Sequence, residues 1–394
     1  MKTMVCVSEA IQFISEHIMP LHPVTLPLHE AAGLTLAEDI LSPCNIPAYP
    51  QSSMDGYAFA FEEGRSTYEL EGEMAAGSRQ QFTLMPGKAI RIFTGAAVPN
   101  GADTVLVQEK ARVENGVLQL PNTPLKKGDN VRPIGSEIQR DAHALSKGDR
   151  LQPASIGFLA GMGIDTVKVF PRPKVSIFVT GNELQALGQP LGYGQVYDSN
   201  SYTLCACLEQ IRINQIALFQ SGDDPNQLKT LLTKALQDSD LILVTGGVSV
   251  GDYDFTMQTF EACGVNPVFH KIRQKPGKPM LFGMKENKVV FGLPGNPASV
   301  LTCFYEYVLP AIGKLMHQSL SLSSKKAVLS HDHQKPAGLT HFLKAVYDGE
   351  KVGLQKEQES YKLSSFAAAN CIAVFPENET QFTQGQSIEI HLLP

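Results

Sequence analysis

The sequence predicts a multidomain protein of the α/β plus β class, built around a three-layer α/β/α domain with a mostly parallel sheet. Two observations predict this class. From about residue 172 to 315, short apolar or β-branched runs alternate with segments of helical periodicity. On either side of this stretch the composition changes to shorter strand-like runs with many turns. Because repeated βαβ units form a mostly parallel sheet covered by helices on both faces, residues 172–318 are predicted to be the α/β domain.

The chain before the α/β domain is predicted to contribute two further domains. Residues 1–45 contain one amphipathic helix, then a strand and a short helix. Residues 46–136 are dense in glycine and proline, and the Asn-Gly pair in VENGVLQL predicts a hairpin with a type I′ turn. Residues 137–171 return to a helix and extended pieces. If they rejoin residues 1–45, these two stretches form a segmented linker domain and residues 46–136 form an inserted β-domain.

The chain after the α/β domain is predicted to be a small β domain. Short strands and turns recur in FLKAVYDGEKVGLQ, CIAVFP and GQSIEIHLL. This pattern is typical of a small β-barrel or sandwich, and we assign residues 319–394 to a C-terminal β-barrel domain.

Composition excludes several classes of protein. Of 394 residues, 43% are hydrophobic and 18% are charged, which is typical of a folded globular chain. The net charge of −6 and the lack of a basic stripe argue against a nucleic-acid binder. No apolar run approaches the roughly 18 residues that a membrane span requires, and the first twenty residues do not resemble a signal peptide. Seven cysteines without paired CxxC spacing fit a reducing cytoplasm.

Four predicted strands end in polar, glycine-rich segments: TGNE (180–183), SGDD (221–224), TGGVSVGDYD (245–254) and LPGNPAS (293–299). Ligands bind at the carboxyl ends of the strands in open α/β sheets, so these four ends are predicted to form one rim. Asn296 is a good N-cap residue and Pro297 suits the first helical position. We therefore expect the following helix to begin with free N–H groups that accept an anion.

The rim is predicted to bind a metal ion together with phosphate. The turn KPGKP supplies Lys275 and Lys278 as cations, stiffened by two prolines, with Gly277 allowing close approach. Carboxylates at the strand ends are the ligands that Mg²⁺ takes alongside substrate phosphates. Asp224 and Asp252 are typical of helix N-caps. The predicted metal ligands are therefore Glu183, Asp223 and Asp254.

Five motifs, in this order, carry a resemblance to a known family: SSMDGYAF (52–59), RIFTGAAVPNGADTV (91–105), TGGVSVGDYDF (245–255), KPGKPMLFG (275–283) and GLPGNPAS (292–299). The chain resembles the molybdopterin molybdenumtransferases, known as MoeA in bacteria and as the E domain of gephyrin in animals. The resemblance implies the molybdenum cofactor biosynthesis fold for the central domain and a homodimer of four-domain subunits. It also implies a reaction that inserts molybdenum from molybdate into adenylylated molybdopterin, assisted by Mg²⁺, with release of AMP.

The resemblance also implies site residues. Asp55 is expected to complete the other subunit's site, and the catalytic residues are then Asp55, Glu183, Asp223 and Asp254. Three positions depart from the family pattern: Asn182 stands before Glu183 where an acid is usual, Glu137 where an aspartate is usual, and Lys344 where an arginine is frequent. The residues expected to bind substrate are Thr94, Arg132, Glu137, Gly246, Gly247, Ser249, Gly251, Lys275, Gly277, Lys278, Pro279, Pro294, Gly295, Asn296, Pro297, Lys344 and Ser365.

Two other functions stay open at this point. The α/β domain is similar to that of the molybdopterin adenylyltransferases, but those enzymes are mostly this single domain, and the residues outside it count against that function. The second alternative is a non-catalytic binding or scaffold protein. As partners we expect adenylylated molybdopterin and molybdate, and a transfer complex with the adenylyltransferase and with molybdoenzymes, but no nucleic acid or membrane. Molybdate and tungstate are both tetrahedral dianions, and the sequence does not distinguish them.

Overall fold

The computed structural model describes residues 2–222, 224–246 and 255–394. The chain divides into two compact units, one formed by Met1–Val24 with Phe170–Pro394 and the other by Thr25–Val169. This division is coarser than the four domains predicted from the sequence, whose boundaries stay predictions. The described residues contain eight α-helices: α1 Val7–His17, α2 Pro153–Gly161, α3 Asn200–Gln210, α4 Pro225–Asp238, α5 Phe255–Ala262, α6 Pro297–Cys303, α7 Leu309–Leu315 and α8 Ser364–Ala367.

The larger unit contains the sheet of the α/β domain. In spatial order its strands are Ile216–Ser221, Val175–Thr180, Leu241–Thr245, Lys288–Leu293, Leu281–Lys285 and Asn266–His270. The first four are parallel, and the last two run antiparallel to their neighbours. The two innermost of the parallel strands are fully buried, because α4 and α5 form one covering layer and α3 and α6 the other. The predicted α/β/α domain is confirmed.

The four parallel strands bring their carboxyl ends to one edge of the sheet. Thr180 pairs in register with Ser221, and Thr245 pairs with Leu293. Thr245 also lies opposite Val179, so the two pairs are neighbours. The polar segments that follow these strands therefore begin side by side, as the sequence predicts.

The C-terminal strands of the larger unit close into a barrel. The barrel strands are Ser323–Leu329, Thr340–Tyr347, Lys351–Leu354, Cys371–Phe375 and Ser387–Leu392. Thr340–Tyr347 pairs with both Lys351–Leu354 and Cys371–Phe375, which closes the ring around a core that includes Leu329, Leu343 and Phe375. The predicted barrel is confirmed. The barrel also pairs with the short strand Gln274–Lys275, which joins Thr340–Tyr347 in parallel.

The smaller unit is built on another six-stranded sheet. In spatial order its strands are Thr104–Val107, Gly56–Phe59, Lys88–Ile92, Thr67–Met74, Val117–Gln119 and Arg112–Glu114. The last two form the predicted hairpin, in which Asn115 and Gly116 have φ values of 51° and 75°. Positive φ at both central residues is the signature of a type I′ turn, so this prediction is confirmed.

A small sheet joins two distant stretches of the smaller unit. The strand Thr166–Phe170 lies between Val24–Pro27 and Thr35–Leu36. In addition, His143–Leu145 pairs with Ile40–Leu41. These pairings agree with the interpretation in which residues 137–171 rejoin residues 1–45.

Candidate functional site

A cavity of about 1000 Å³ opens at the carboxyl ends of the parallel strands. Most of its wall comes from three segments, namely the strand ends with the start of α6, the turn 274–279 and part of the loop 355–363 from the barrel. The following predicted site residues line it: Glu183, Gly246, Lys275, Gly277, Lys278, Pro279, Pro294, Gly295 and Asn296. The structure therefore brings one predicted metal ligand and both predicted anion-binding lysines into one cavity.

Five predicted site residues lie outside the described part of the chain. They are Asp223, Gly247, Ser249, Gly251 and Asp254. Two of the three predicted metal ligands are among them. Within residues 2–222, 224–246 and 255–394, no group of three or more His, Cys, Asp or Glu side chains is placed to hold a metal ion. Magnesium binding at the rim thus stays a prediction.

Glu183 has the chemistry that a hard cation requires. Its carboxylate is exposed, lines the cavity and has no hydrogen-bond or ion-pair partner among the described residues. It folds back over the strand end, where a Cβ added to Gly181 would lie 2.5 Å from Oε2. Gly181 has a φ of 145°, which favours glycine. The Glu183 carboxylate lies against the Gly181 backbone and has no partner in the described part of the protein, so it is suited to be a magnesium ligand.

The two lysines of the turn 274–279 are not neutralised by the protein. Neither Lys275 nor Lys278 forms an ion pair within the described ranges. Gly277 holds the turn close to the protein, because a Cβ at this position would lie 2.6 Å from the Cys303 sulphur. Its φ of 84° also favours glycine. Two uncompensated cations on a closely packed turn are suited to bind an anion.

A buried glutamine holds this turn in place. Gln274 is fully buried, and its Nε2 donates to the Pro276 carbonyl at 3.0 Å and the Gly277 carbonyl at 3.2 Å. Its Oε1 accepts a hydrogen bond from the Tyr307 hydroxyl. Burial raises the pKa of Tyr307 well above its usual value, so this hydroxyl stays protonated and donates. Sequence analysis missed Gln274, although a polar residue directly before the turn was a usable signal.

The helix after LPGNP does not offer a free N-terminus, and this prediction is wrong. Asn296 and Pro297 occupy the N-cap and first helical positions, as expected. However, the Ala298 N–H donates to the Ser360 carbonyl at 3.0 Å, and the Ser299 N–H donates to the Asn296 carbonyl. The Asn296 side chain donates to the Ser360 hydroxyl at 2.8 Å instead of capping the helix. The barrel loop therefore occupies the place that the sequence assigned to an anion.

Lys344 and Ser365 do not line the cavity, contrary to expectation. Only 4% of Lys344 is exposed, and its Nζ donates to the carbonyls of Glu359 at 3.1 Å and Lys362 at 3.2 Å. The Ser365 hydroxyl also donates to the Lys362 carbonyl, at 3.1 Å. Burial lowers the pKa of Lys344. Lys344 and Ser365 therefore hold the loop 355–363 through hydrogen bonds to its carbonyl groups. For Lys344 such bonds are required, because its buried ammonium group has lost its contact with water.

The loop 355–363 contributes five lining residues that sequence analysis missed. They are Lys356, Gln358, Glu359, Ser360 and Tyr361. Nothing local in QKEQESYKL distinguishes it from a solvated loop, because its position depends on contacts with α6. Tyr361 also borders a second cavity of about 450 Å³, which shares the wall formed by Glu183, Gly246 and Asn296. Pro297 lines this second cavity.

Four predicted site residues lie in the smaller unit. The Asp55 Oδ1 accepts hydrogen bonds from the Thr94 backbone N–H and hydroxyl, both at 2.7 Å. The backbone hydrogen bond is the main reason why the pKa of Asp55 is lowered, which keeps the carboxyl ionised. Arg132 donates to the Gln51 side chain at 3.2 Å, and Glu137 lines a separate cavity of about 300 Å³. Asp55 and Thr94 are thus brought together.

Three sequence profiles match the chain in succession. "MoeA N-terminal region (domain I and II)" matches residues 5–163, "Probable molybdopterin binding domain" matches 176–314, and "MoeA C-terminal region (domain IV)" matches 326–393. A curated relative from Haemophilus influenzae, molybdopterin molybdenumtransferase, is 36% identical over 93% of this chain and 94% of its own length. The protein of the same name from Nostoc sp. is 36% identical over 93% of this chain and 88% of its own length.

Solved structures agree with the sequence comparisons. Two structures of the molybdopterin biosynthesis MoeA protein from Pyrococcus horikoshii have TM-scores of 0.83 and 0.78, each at 29% identity. Both comparisons cover 99% of this chain, and 99% and 100% of the respective neighbour. No helix in the described part of the chain is long and apolar enough to cross a membrane.

Proposed function

The chain belongs to the molybdopterin molybdenumtransferase family, and we propose that it inserts molybdenum from molybdate into adenylylated molybdopterin and releases AMP. The observation that supports this function is the cavity at the strand ends, in which Glu183 and the uncompensated Lys275 and Lys278 share one wall. Their chemistry suits a substrate that carries several negative charges.

The charges on the cavity wall match the demands of this reaction. Release of AMP breaks a bond of a pyrophosphate group, and such cleavage depends on charge neutralisation and positioning. It requires no protein nucleophile. Lys275 and Lys278 would bind the oxyanions, and the rigid turn would keep them oriented during cleavage. A bound Mg²⁺, held by Glu183 with Asp223 and Asp254, would supply further neutralisation of phosphate charge.

The two neighbouring cavities suit a substrate with two bulky ends. The larger cavity contains the lysine turn and the smaller one lies beyond Asn296 and Tyr361. Adenylylated molybdopterin has a pterin at one end and an adenosine at the other, joined through phosphates. We propose that the phosphates lie near the shared wall and that each ring system enters one cavity.

The proposal includes a homodimer in which Asp55 serves the site of the other subunit. In that dimer Asp55 would contribute an ionised carboxylate, because two hydrogen bonds from Thr94 lower its pKa. We also propose that the protein acts in the cytoplasm, receives its substrate from a molybdopterin adenylyltransferase and delivers its product to molybdoenzymes.

Incubation of the purified protein with adenylylated molybdopterin, molybdate and Mg²⁺ tests the function. We expect AMP release and incorporation of molybdenum, both lost when a chelator removes Mg²⁺. Tight binding of the pterin without AMP release would contradict catalysis and favour a scaffold. Formation of adenylylated molybdopterin from molybdopterin and ATP would favour an adenylyltransferase instead.

A further inference from the structure

We propose that Lys356, on the loop 355–363 of the barrel, is a third cation of the anion site and binds a tetrahedral dianion together with the lysine turn. The inference rests on the proposed function and extends it to a residue outside the α/β domain. The dianion is either molybdate or the phosphate of the nucleotide, which share charge and shape.

The first step is that Lys344 is not available to a ligand. Its Nζ is committed to the carbonyls of Glu359 and Lys362, and the side chain is almost fully buried. Turning this group toward the cavity would break both of these hydrogen bonds, which are charge-assisted and therefore costly to lose. The barrel must therefore present any positive charge to the cavity through another residue.

The second step is that the loop 355–363 is anchored at both the barrel and α6. The Gln358 side chain accepts from the Lys344 N–H at 3.0 Å and donates to the Lys344 carbonyl at 2.8 Å. Two residues further on, Ser360 bonds to Asn296 and Ala298 at the start of α6. These contacts fix the loop as part of the cavity wall, and Lys356 lies two residues before Gln358.

The third step is that Lys356 is the lysine of this loop that lacks an acidic partner. Lys362 forms ion pairs with Glu357 at 2.7 Å and Glu359 at 3.9 Å. Lys356 is exposed and lines the cavity, and it forms no hydrogen bond or ion pair with any described residue. Its charge is thus free to compensate a ligand.

The chemistry of a lysine suits this position. The ammonium group acts as a point charge on a flexible stem, so it does not require the fixed geometry of a bidentate contact. Lys275 and Lys278 come from the turn 274–279 and Lys356 comes from the barrel loop, so two segments of the wall supply three positive charges to one cavity. Lys356 would add a charge from the barrel to the two charges that the turn supplies to the dianion.

Calorimetric titration of the full-length protein tests the inference, with sodium molybdate and AMP as separate probes. We compare the wild type with Lys356→Gln and with the matched control Lys351→Gln, which removes an exposed lysine of the same barrel outside the cavity. Lys356→Gln is expected to weaken binding of one probe about 5-fold, as for an exposed ion pair, and to reduce its dependence on salt. The probe that responds identifies the dianion.

The outcomes separate this inference from the proposed function. If the wild type releases AMP but Lys356→Gln binds both probes as tightly as the wild type does, the role of Lys356 is refuted and the function stands. If the wild type neither binds the probes nor releases AMP, both are refuted. A melting temperature of Lys356→Gln equal to that of the wild type excludes misfolding as the cause of weaker binding. Lys356→Glu, which reverses the charge, should weaken binding further.

Discussion

At the scale of single residues, the cavity combines unpartnered charges with fully bonded supports. Glu183, Lys275 and Lys278 have no ion-pair partner among the described residues. By contrast, Gln274 donates hydrogen bonds to carbonyl groups of the turn 274–279, and Lys344 donates to carbonyl groups of the loop 355–363. The first three are exposed and available to a ligand, whereas the last two are buried and must be bonded within the protein, so the pattern separates candidate ligand-binding side chains from structural ones.

Lys275→Gln is expected to raise the KM for molybdate or adenylylated molybdopterin about 10-fold, because one charge-assisted contact to an anion is lost. Steady-state AMP release at varied concentrations of each substrate measures this effect. Lys229→Gln, on the exposed surface of α4, is the control and should behave as the wild type. An unchanged KM for both substrates in Lys275→Gln would contradict an anion-binding role.

His341 is expected to make the fold less stable in acid. It is 6% exposed with an unpartnered Nε2, and burial, with the charges of Lys335 and Lys275, lowers its pKa to about 4. The unfolded chain has a histidine pKa of about 6.5 and so binds the proton first. Stability due to this residue is therefore complete above about pH 6.5 and falls as the pH decreases toward the folded pKa.

Melting temperatures of His341→Gln and the wild type at pH 7.5 and pH 5 test this expectation. The wild type should lose more stability between these values than the variant does. The exposed His22→Gln is the control and should follow the wild type. Equal losses in His341→Gln and the wild type would mean that the imidazole does not stay neutral in the fold.

At the scale of elements, the turn 274–279 depends on the helical segment behind it. α6 continues through a π-helical turn, Phe304–Val308, into α7. This segment supplies Tyr307 to Gln274 and Cys303 to the close contact with Gly277. A helix and a turn that are distant in sequence are thus joined by one buried hydrogen-bonded side chain.

Gln274→Leu is expected to lower the melting temperature and to raise the KM for molybdate more than it lowers kcat. It leaves the Pro276 and Gly277 carbonyls and the Tyr307 hydroxyl without their partner, at a cost of about 1–3 kcal/mol for each buried group. Tyr307→Phe removes the hydroxyl itself and should cost less. The double variant should be less destabilised than the sum of the two single variants, because the residues share one network. Additive losses would contradict the network.

At the scale of the whole molecule, the α/β domain and the barrel of the larger unit are joined by polar contacts. The Arg273 Nε donates to Glu377 at 2.7 Å, and the buried Glu306 bonds His391 Nδ1 at 2.9 Å. They join the α/β domain to the barrel, and the barrel's loop 355–363 lines the cavity. The site is therefore a property of both domains.

Glu306→Gln is expected to destabilise the protein more at pH 6 than at pH 9. Burial lowers the pKa of His391, but the hydrogen bonds and charges of Glu306 and Glu389 outweigh burial and raise it. The stabilisation is therefore complete below the unfolded pKa and is lost as the pH rises through the folded one. Thermal melts at both pH values measure it, with Glu350→Gln on the barrel surface as the control. A pH-independent difference would exclude a charged pair.

The sequence by itself determined the features that depend on local pattern. Buried apolar runs predicted the parallel strands, Asn115-Gly116 predicted the hairpin, and the order of motifs predicted the family, since each signal lies within a few residues. The tertiary structure decided what depends on contacts between distant residues. Asn296 and Ser360 are 64 residues apart, and their contact both covers the N-terminus of α6 and brings Lys356 to the cavity. No local pattern encodes such a contact, because its free energy exists only when both segments are packed together.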